Sequence, residues 1–208
     1  MRRGPGWRAS ARCSAGRLRC SAPRAAVIRV IAAHLRDGAA ASWQGLVFDF
    51  NGVVFDGGDF RDAEFSGGLA VFDNARFSSG TVRFNRARFS GGEVYFGGAT
   101  FTGGTVRFNR ARFSGGTVSF RDTELSGGAV DFGRARFSGG TVLFHGAGFS
   151  GGTAGFDDAE FSGGTVDFSH ARFSGGTVDF SAVHDWSFPP VFPWTDTPPS
   201  GVKLPGLA

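Results

Sequence analysis

Phenylalanine recurs along this chain at a spacing that leaves few folds open. In the run FSGGTVDFSHARFSGGTVDF, Phe stands at 161, 168, 173 and 180, so the gaps are seven, five and seven. The same spacing runs back to Phe65, and from there through Phe60 and Phe55 to Phe50 the gap is five throughout. From Phe50 to Phe180, 23 such positions hold 22 Phe and one Leu, Leu125. A short fixed period sustained over this length means that each unit packs on its neighbours, as in a solenoid.

The residues between the Phe positions agree. In an extended segment residues i and i−2 share a face. Val53 precedes Phe55, Ala63 precedes Phe65, Val82 precedes Phe84 and Val178 precedes Phe180, with polar residues such as Arg83 and Asp179 between them. Turn formers follow each Phe: Ser-Gly-Gly-Thr on one arm, and pairs such as Asn-Arg, Asp-Asp or Ser-His on the other. The pattern is short half-buried strand, turn, short strand. The segment RFNRARFSGG at 83–92 recurs at 107–116, 24 residues on, while YFGGATFTGG lies between. A coil of four strands therefore takes 24 residues and has two unlike halves.

A small residue at i−2, a large apolar residue at i and recurrence every five residues resemble the pentapeptide-repeat proteins. The run FNGVVFDGGDFRDAEF, residues 50–65, follows that pattern directly. From Phe65 onward each pair of pentapeptides carries two extra residues, the Gly-Thr of SGGT, so the unit becomes twelve. The pattern spans about residues 50–180 and is similar to the Phe-rich branch of that family. The resemblance implies a right-handed β-helix of square cross-section. The expected fold class is thus all-β: a β-solenoid, a right-handed quadrilateral β-helix over residues 44–185. Stacked at ~4.8 Å per coil it makes a rod of about 25–30 Å with an aromatic interior.

The ends read differently. Residues 1–22 lack periodicity and read as a disordered basic arm. Residues 23–38 read as an amphipathic helix, with Ser21 as cap, Pro23 in the first turn and Gly38 at the stop. Its apolar stripe would be Ala26, Val27, Val30, Ile31, His34 and Leu35. Such a helix either closes the open edge of the first coil or lies on an anionic membrane. Residues 186–208 carry Trp186, Phe188, Phe192 and Trp194 among six of the eight prolines. They read as a Pro/aromatic C-terminal cap over the last coil, with a Pro-rich ligand for a partner domain as the rival reading.

The net charge of +4 is unevenly spread: residues 1–36 hold nine Arg and no acid, so the remainder is acidic overall. The high pI belongs to the arm. Cys13 and Cys20 both lie there and read as reduced thiols without a metal site. No apolar run reaches the ~18 residues of a membrane span, and Arg residues interrupt the only stretch resembling a signal peptide. The expected location is the cytoplasm, with peripheral membrane attachment through residues 1–38 as an alternative.

Residues that would carry chemistry are scattered. The four histidines, 34, 145, 170 and 184, fall at unlike phases of the repeat and promise no shared metal site. Recurring Ser has no histidine-plus-acid set beside it, and no Lys-Ser/Thr follows the Gly-Gly pairs as a phosphate loop requires. We expect no enzyme, no cofactor and no metal. One surface feature does stand out. At 24 residues per coil, Arg83 aligns with Arg107, Arg86 with Arg110 and Arg134, and Arg88 with Arg112 and Arg136. Those eight side chains form a candidate strip for an anionic partner: phosphates, anionic lipid headgroups or an acidic protein. The leading functional expectation is a non-catalytic scaffold that mediates protein interaction through its outer face. A second follows from the resemblance, since some pentapeptide-repeat proteins mimic duplex DNA and bind DNA gyrase. Mimicry asks for a strongly acidic rod, whereas this one carries a central band of Arg, and duplex nucleic acid itself is not an expected ligand. The third is membrane attachment by the basic arm and helix.

Overall fold

A computed structural model describes residues 21–206, so the reading of residues 1–20 as a disordered arm, and Cys13 and Cys20 with it, lies outside the described residues. The chain winds into a parallel β-solenoid of about seven turns preceded by one helix, α1, Ser21–Leu35.

Three sheets line the solenoid, and every strand pair within them is parallel. The first stacks Gly58–Asp59, Thr81–Arg83, Thr105–Arg107, Ala129–Asp131, Thr153–Gly155, Thr177–Asp179 and Val202–Lys203. The second stacks six two-residue strands from Val54–Phe55 to Arg172–Phe173. The third begins at Val47–Asp49 and Leu69–Val71 and continues through four eight-residue strands: Arg88–Tyr95, Arg112–Ser119, Arg136–Leu143 and Glu160–Asp167. Each of these four covers two of the four sides of a coil. Its Ser-Gly-Gly segment turns the corner with shifts of register but without ending the strand. The same tripeptide half a coil later does end the strand, between Leu125 and Ala129 for instance. The two halves are therefore unlike in backbone as well as in sequence.

Register follows the Phe spacing. Val82 pairs with Val106 and Phe89 with Phe113, a period of 24. Phe55 pairs with Phe77 and Val47 with Leu69, a period of 22, because the segment from Phe50 to Phe65 lacks a two-residue insertion. This register lays Phe rings face to face up the interior: Phe84 on Phe108 at 5.0 Å, Phe96 on Phe120 at 4.8 Å and Phe89 on Phe113 at 4.9 Å. Rings from different columns meet edge to face, as do Phe84 and Phe96 at 84°. Both are favoured aromatic geometries, worth ~0.5–1.5 kcal/mol per pair beyond burial. Where Leu125 interrupts one column, Thr123 replaces the Ala found at that place in the adjacent coils, and both are buried.

The ends depart from the sequence reading in two ways. Helix α1 lies on Gly58–Asp59, the first strand of the first sheet, with Ile28 against Gly58. It buries Ile28, Ala32 and Leu35, whereas Val27 and Val30 of the expected stripe stay half exposed. The side chains are sorted by the packing of the helix on one strand edge, which residue spacing alone does not specify. At the other end the solenoid does not stop at residue 185. Phe192 takes the place one period after Phe168 and stacks on it at 5.6 Å. Val202 pairs with Val178, one period on. Trp186 and Trp194 meet Phe180 and Phe173 edge to face. No described helix is long and apolar enough to cross a membrane.

Candidate anion-docking face

The three Arg rows run side by side along one corner of the solenoid. Arg83 and Arg107 are register partners in the first sheet, between Asp59 before them and Asp131 after. Arg88, Arg112 and Arg136 are register partners in the third, between Glu64 and Glu160. Between these rows Arg86, Arg110 and Arg134 occupy the second place of a two-residue turn. Their backbones are held from coil to coil, Arg86 N–H donating to Asn109 O and Arg110 N–H to Gly133 O. The eight residues are therefore brought together as one patch, with Arg83 and Arg88 half-buried and the other six exposed.

Each long row closes on an acid at both ends. Arg86 donates to Asp62 at 2.7 Å, and Arg134 to Asp158 at 3.2 Å. Arg88 reaches Glu64 at 2.5 Å and Asp37 at 3.2 Å, and Arg136 reaches Glu160 at 3.1 Å. The hydrogen bond from Arg86 holds the Asp62 carboxyl below its ordinary range, and the return interaction raises Arg86. Arg61 does the same to Asp59 by hydrogen bonding, against a smaller opposing effect of burial. Four guanidinium groups, on Arg83, Arg107, Arg110 and Arg112, have no ion-pair partner among the described residues. The Arg patch thus has a paired rim and an unpaired centre. Beneath it, Asn85 Nδ2 donates to Asn109 Oδ1 at 3.2 Å and Asn109 Nδ2 to Asp131 Oδ1 at 2.8 Å, a side-chain ladder that holds the turns in line.

The turn residues carry a backbone cost. Arg86, Arg110 and Arg134 have φ of 60°, 59° and 59°, the left-handed region. Side chains other than Gly pay ~1–2 kcal/mol there. The equivalent turn half a coil away uses Gly52, Gly98 and Gly146 for three of its six residues. Along the Arg corner no coil from Asp62 to Asp158 does so. Strain maintained at successive exposed positions is a pointer to use of those side chains.

Two residues set aside on sequence grounds meet in space. His145 and His170 differ by 25 residues, one more than the period, and so fall at unlike phases of the repeat. The structure places their rings 4.4 Å apart on adjacent coils, half a coil from the Arg corner. His34 instead stacks on Trp43 at 4.1 Å beside α1.

Residues 50–100 and 67–109 match the profile of the family described as Pentapeptide repeats (9 copies). Among solved structures the chain is similar to two of trypsin-treated QnrB1, described as a plasmid-mediated fluoroquinolone resistance protein. One is 20% identical with a TM-score of 0.37 and covers 78% of this chain and 88% of that one. The other is 19% identical with a TM-score of 0.21, over 78% and 87%. No curated protein sequence matches the chain.

Proposed function

We propose that the chain, whose residues 50–109 match the pentapeptide-repeat profile, is a non-catalytic scaffold of that kind whose Arg corner docks an acidic segment of a partner protein. One observation carries the reading: Arg83, Arg107, Arg110 and Arg112 form an unpaired cationic centre between acid-paired rims. A rigid solenoid holds the backbones of these residues at the coil spacing, so an extended acidic peptide meets them with no backbone left to order on the scaffold side. The acidic rims would repel a partner that is displaced along the rod, which fixes its register.

Two other readings fare less well. Duplex mimicry towards gyrase needs an acidic rod, and the middle coils present the opposite charge. We expect no effect of the protein on gyrase supercoiling, and inhibition at stoichiometric ratios would revive that reading. Membrane attachment by α1 would use its apolar face, but Ile28, Ala32 and Leu35 are already spent on the solenoid. Loss of liposome binding on removing residues 1–38 would favour it nonetheless. The docking proposal itself is tested by capture with the intact chain and with an Arg83→Glu/Arg107→Glu/Arg112→Glu variant. Proteins retained by the first and released by the second carry the partner, and their binding should weaken with salt. Equal retention by both would overturn the proposal.

A further inference from the structure

On the corner half a coil from the Arg patch, Phe144 and Phe168 are equivalent rungs one period apart, stacked at 4.4 Å. Residues 145 and 169 therefore share one turn column, and residues 146 and 170 the next. His145 looks diagonally across to His170, with ring centroids 4.4 Å apart and planes inclined at 44°. Nδ1 of His145 lies 3.2 Å from Ser169 Oγ, and Ser169 N–H donates to Asp167 Oδ1 at 2.7 Å. A ring that engages Ser169 through Nδ1 keeps Nε2 for a ligand. His145 is half-buried and His170 exposed, so both are reachable from solvent.

Two further features set the pair apart from chance neighbours. His170 adopts a φ of 60°, whereas the same place in the coil before is filled by Gly146. An imidazole is thus held where Gly would cost nothing. Gly146 also puts no side chain before His170 in its turn column, and none fits there, because a Cβ would collide with the carboxylate of Asp122.

We propose that His145 and His170 form a two-imidazole site for a late first-row divalent cation, Zn2+, Cu2+ or Ni2+. Neutral imidazole suits these ions, and two rings fixed on hydrogen-bonded turns chelate without ordering a loop. Among the described residues no group of three or more His, Cys, Asp or Glu side chains is placed to hold a metal ion, so the site rests on two protein ligands. Water fills the other coordination positions, so the site is open and exchangeable rather than structural.

The test follows the imidazole carbon resonances of the full chain during titration with Zn2+, with Cys13→Ser and Cys20→Ser to remove competing thiols. We expect His145 and His170 to shift together and saturate at one equivalent, with His34 and His184 unmoved. His145→Ala should abolish the shift of His170, His170→Asn that of His145, and each should weaken binding at least about tenfold, the loss of one chelating ligand. An unchanged amide spectrum will show that both variants are folded. If the two rings respond independently of each other, respond no more than His34 and His184, or do not respond at millimolar Zn2+, the proposal is wrong.

Discussion

Single residues in this protein are chosen against a repeating background, so each departure from the repeat has a local cause. Leu125 is the one non-Phe rung, and Thr123, two residues before it on the same inward face, is larger than the Ala of the coils on either side. Both are buried and the Thr123 hydroxyl donates to Phe120 O at 2.9 Å. The pair exchanges volume between neighbouring sites, so Leu125→Phe alone should overpack the coil and cost about 1–3 kcal/mol. Adding Thr123→Ala should recover most of that loss, and a denaturation double-mutant cycle will read the coupling. Arg110 offers a second test. Arg110→Gly removes a left-handed side chain and should raise stability by up to about 1 kcal/mol in the same measurement. It should also weaken docking, so that stability and binding move in opposite directions. Gly116, with a φ of 68°, is the reverse case, because a Cβ there would collide with the Gly92 carbonyl oxygen of the coil before. Gly116→Ala should therefore destabilise the chain markedly.

Among the elements, α1 covers the first edge of the first sheet through three buried side chains. Leu35→Ala should cost about 2–5 kcal/mol, read as a lower denaturation midpoint. The ion pairs between coils give a pH dependence of known sign. Asp62 has a depressed carboxyl pKa in the folded chain, caused first by the hydrogen bond from Arg86. Its contribution is complete above the unfolded carboxyl value, about 3.9, and is lost as pH falls through the lower folded value. Both partners are half exposed, so the contribution is below about 1 kcal/mol. Asp62→Asn should therefore lower stability at neutral pH by no more than that amount, leave it unchanged at pH below the folded carboxyl value, and so flatten the acid limb slightly. The register of these elements was legible in the chain, because the 24-residue recurrence of RFNRARFSGG names the ladder partners beyond the first coil, which pairs at 22 for want of one two-residue insertion. The acids at the row ends were legible by the same rule, since Asp62 and Arg86, and Arg134 and Asp158, are 24 apart. The buried face of α1 was not, because its three contacts depend on where the helix settles on a strand edge. Nor was the pairing of His145 with His170, since a diagonal neighbour across a turn lies one residue off the period.

At the scale of the molecule, the aromatic interior supplies most of the packing of the rod, which leaves many outer side chains free to encode recognition. Identical rungs recur from one coil to the next, while the outer columns change from acid to Arg and back to acid along the rod. The Pro-rich end continues the same winding through Phe192 and Val202, so both ends of the Phe stack are covered. The Arg corner is thus a localised feature on a uniform scaffold. Its central claim, that the unpaired guanidinium groups do the docking, is tested most directly by matched neutralisation. A fluorescent acidic peptide, titrated at low and at physiological ionic strength, should bind the native chain in a salt-sensitive manner. Arg107→Gln/Arg110→Gln/Arg112→Gln should weaken it by about tenfold or more, some 1.4 kcal/mol. Arg86→Gln/Arg134→Gln/Arg136→Gln removes the same charge from residues already held by acids and should cost clearly less. Equal losses from the two triple variants, or no loss from the first, would contradict the account.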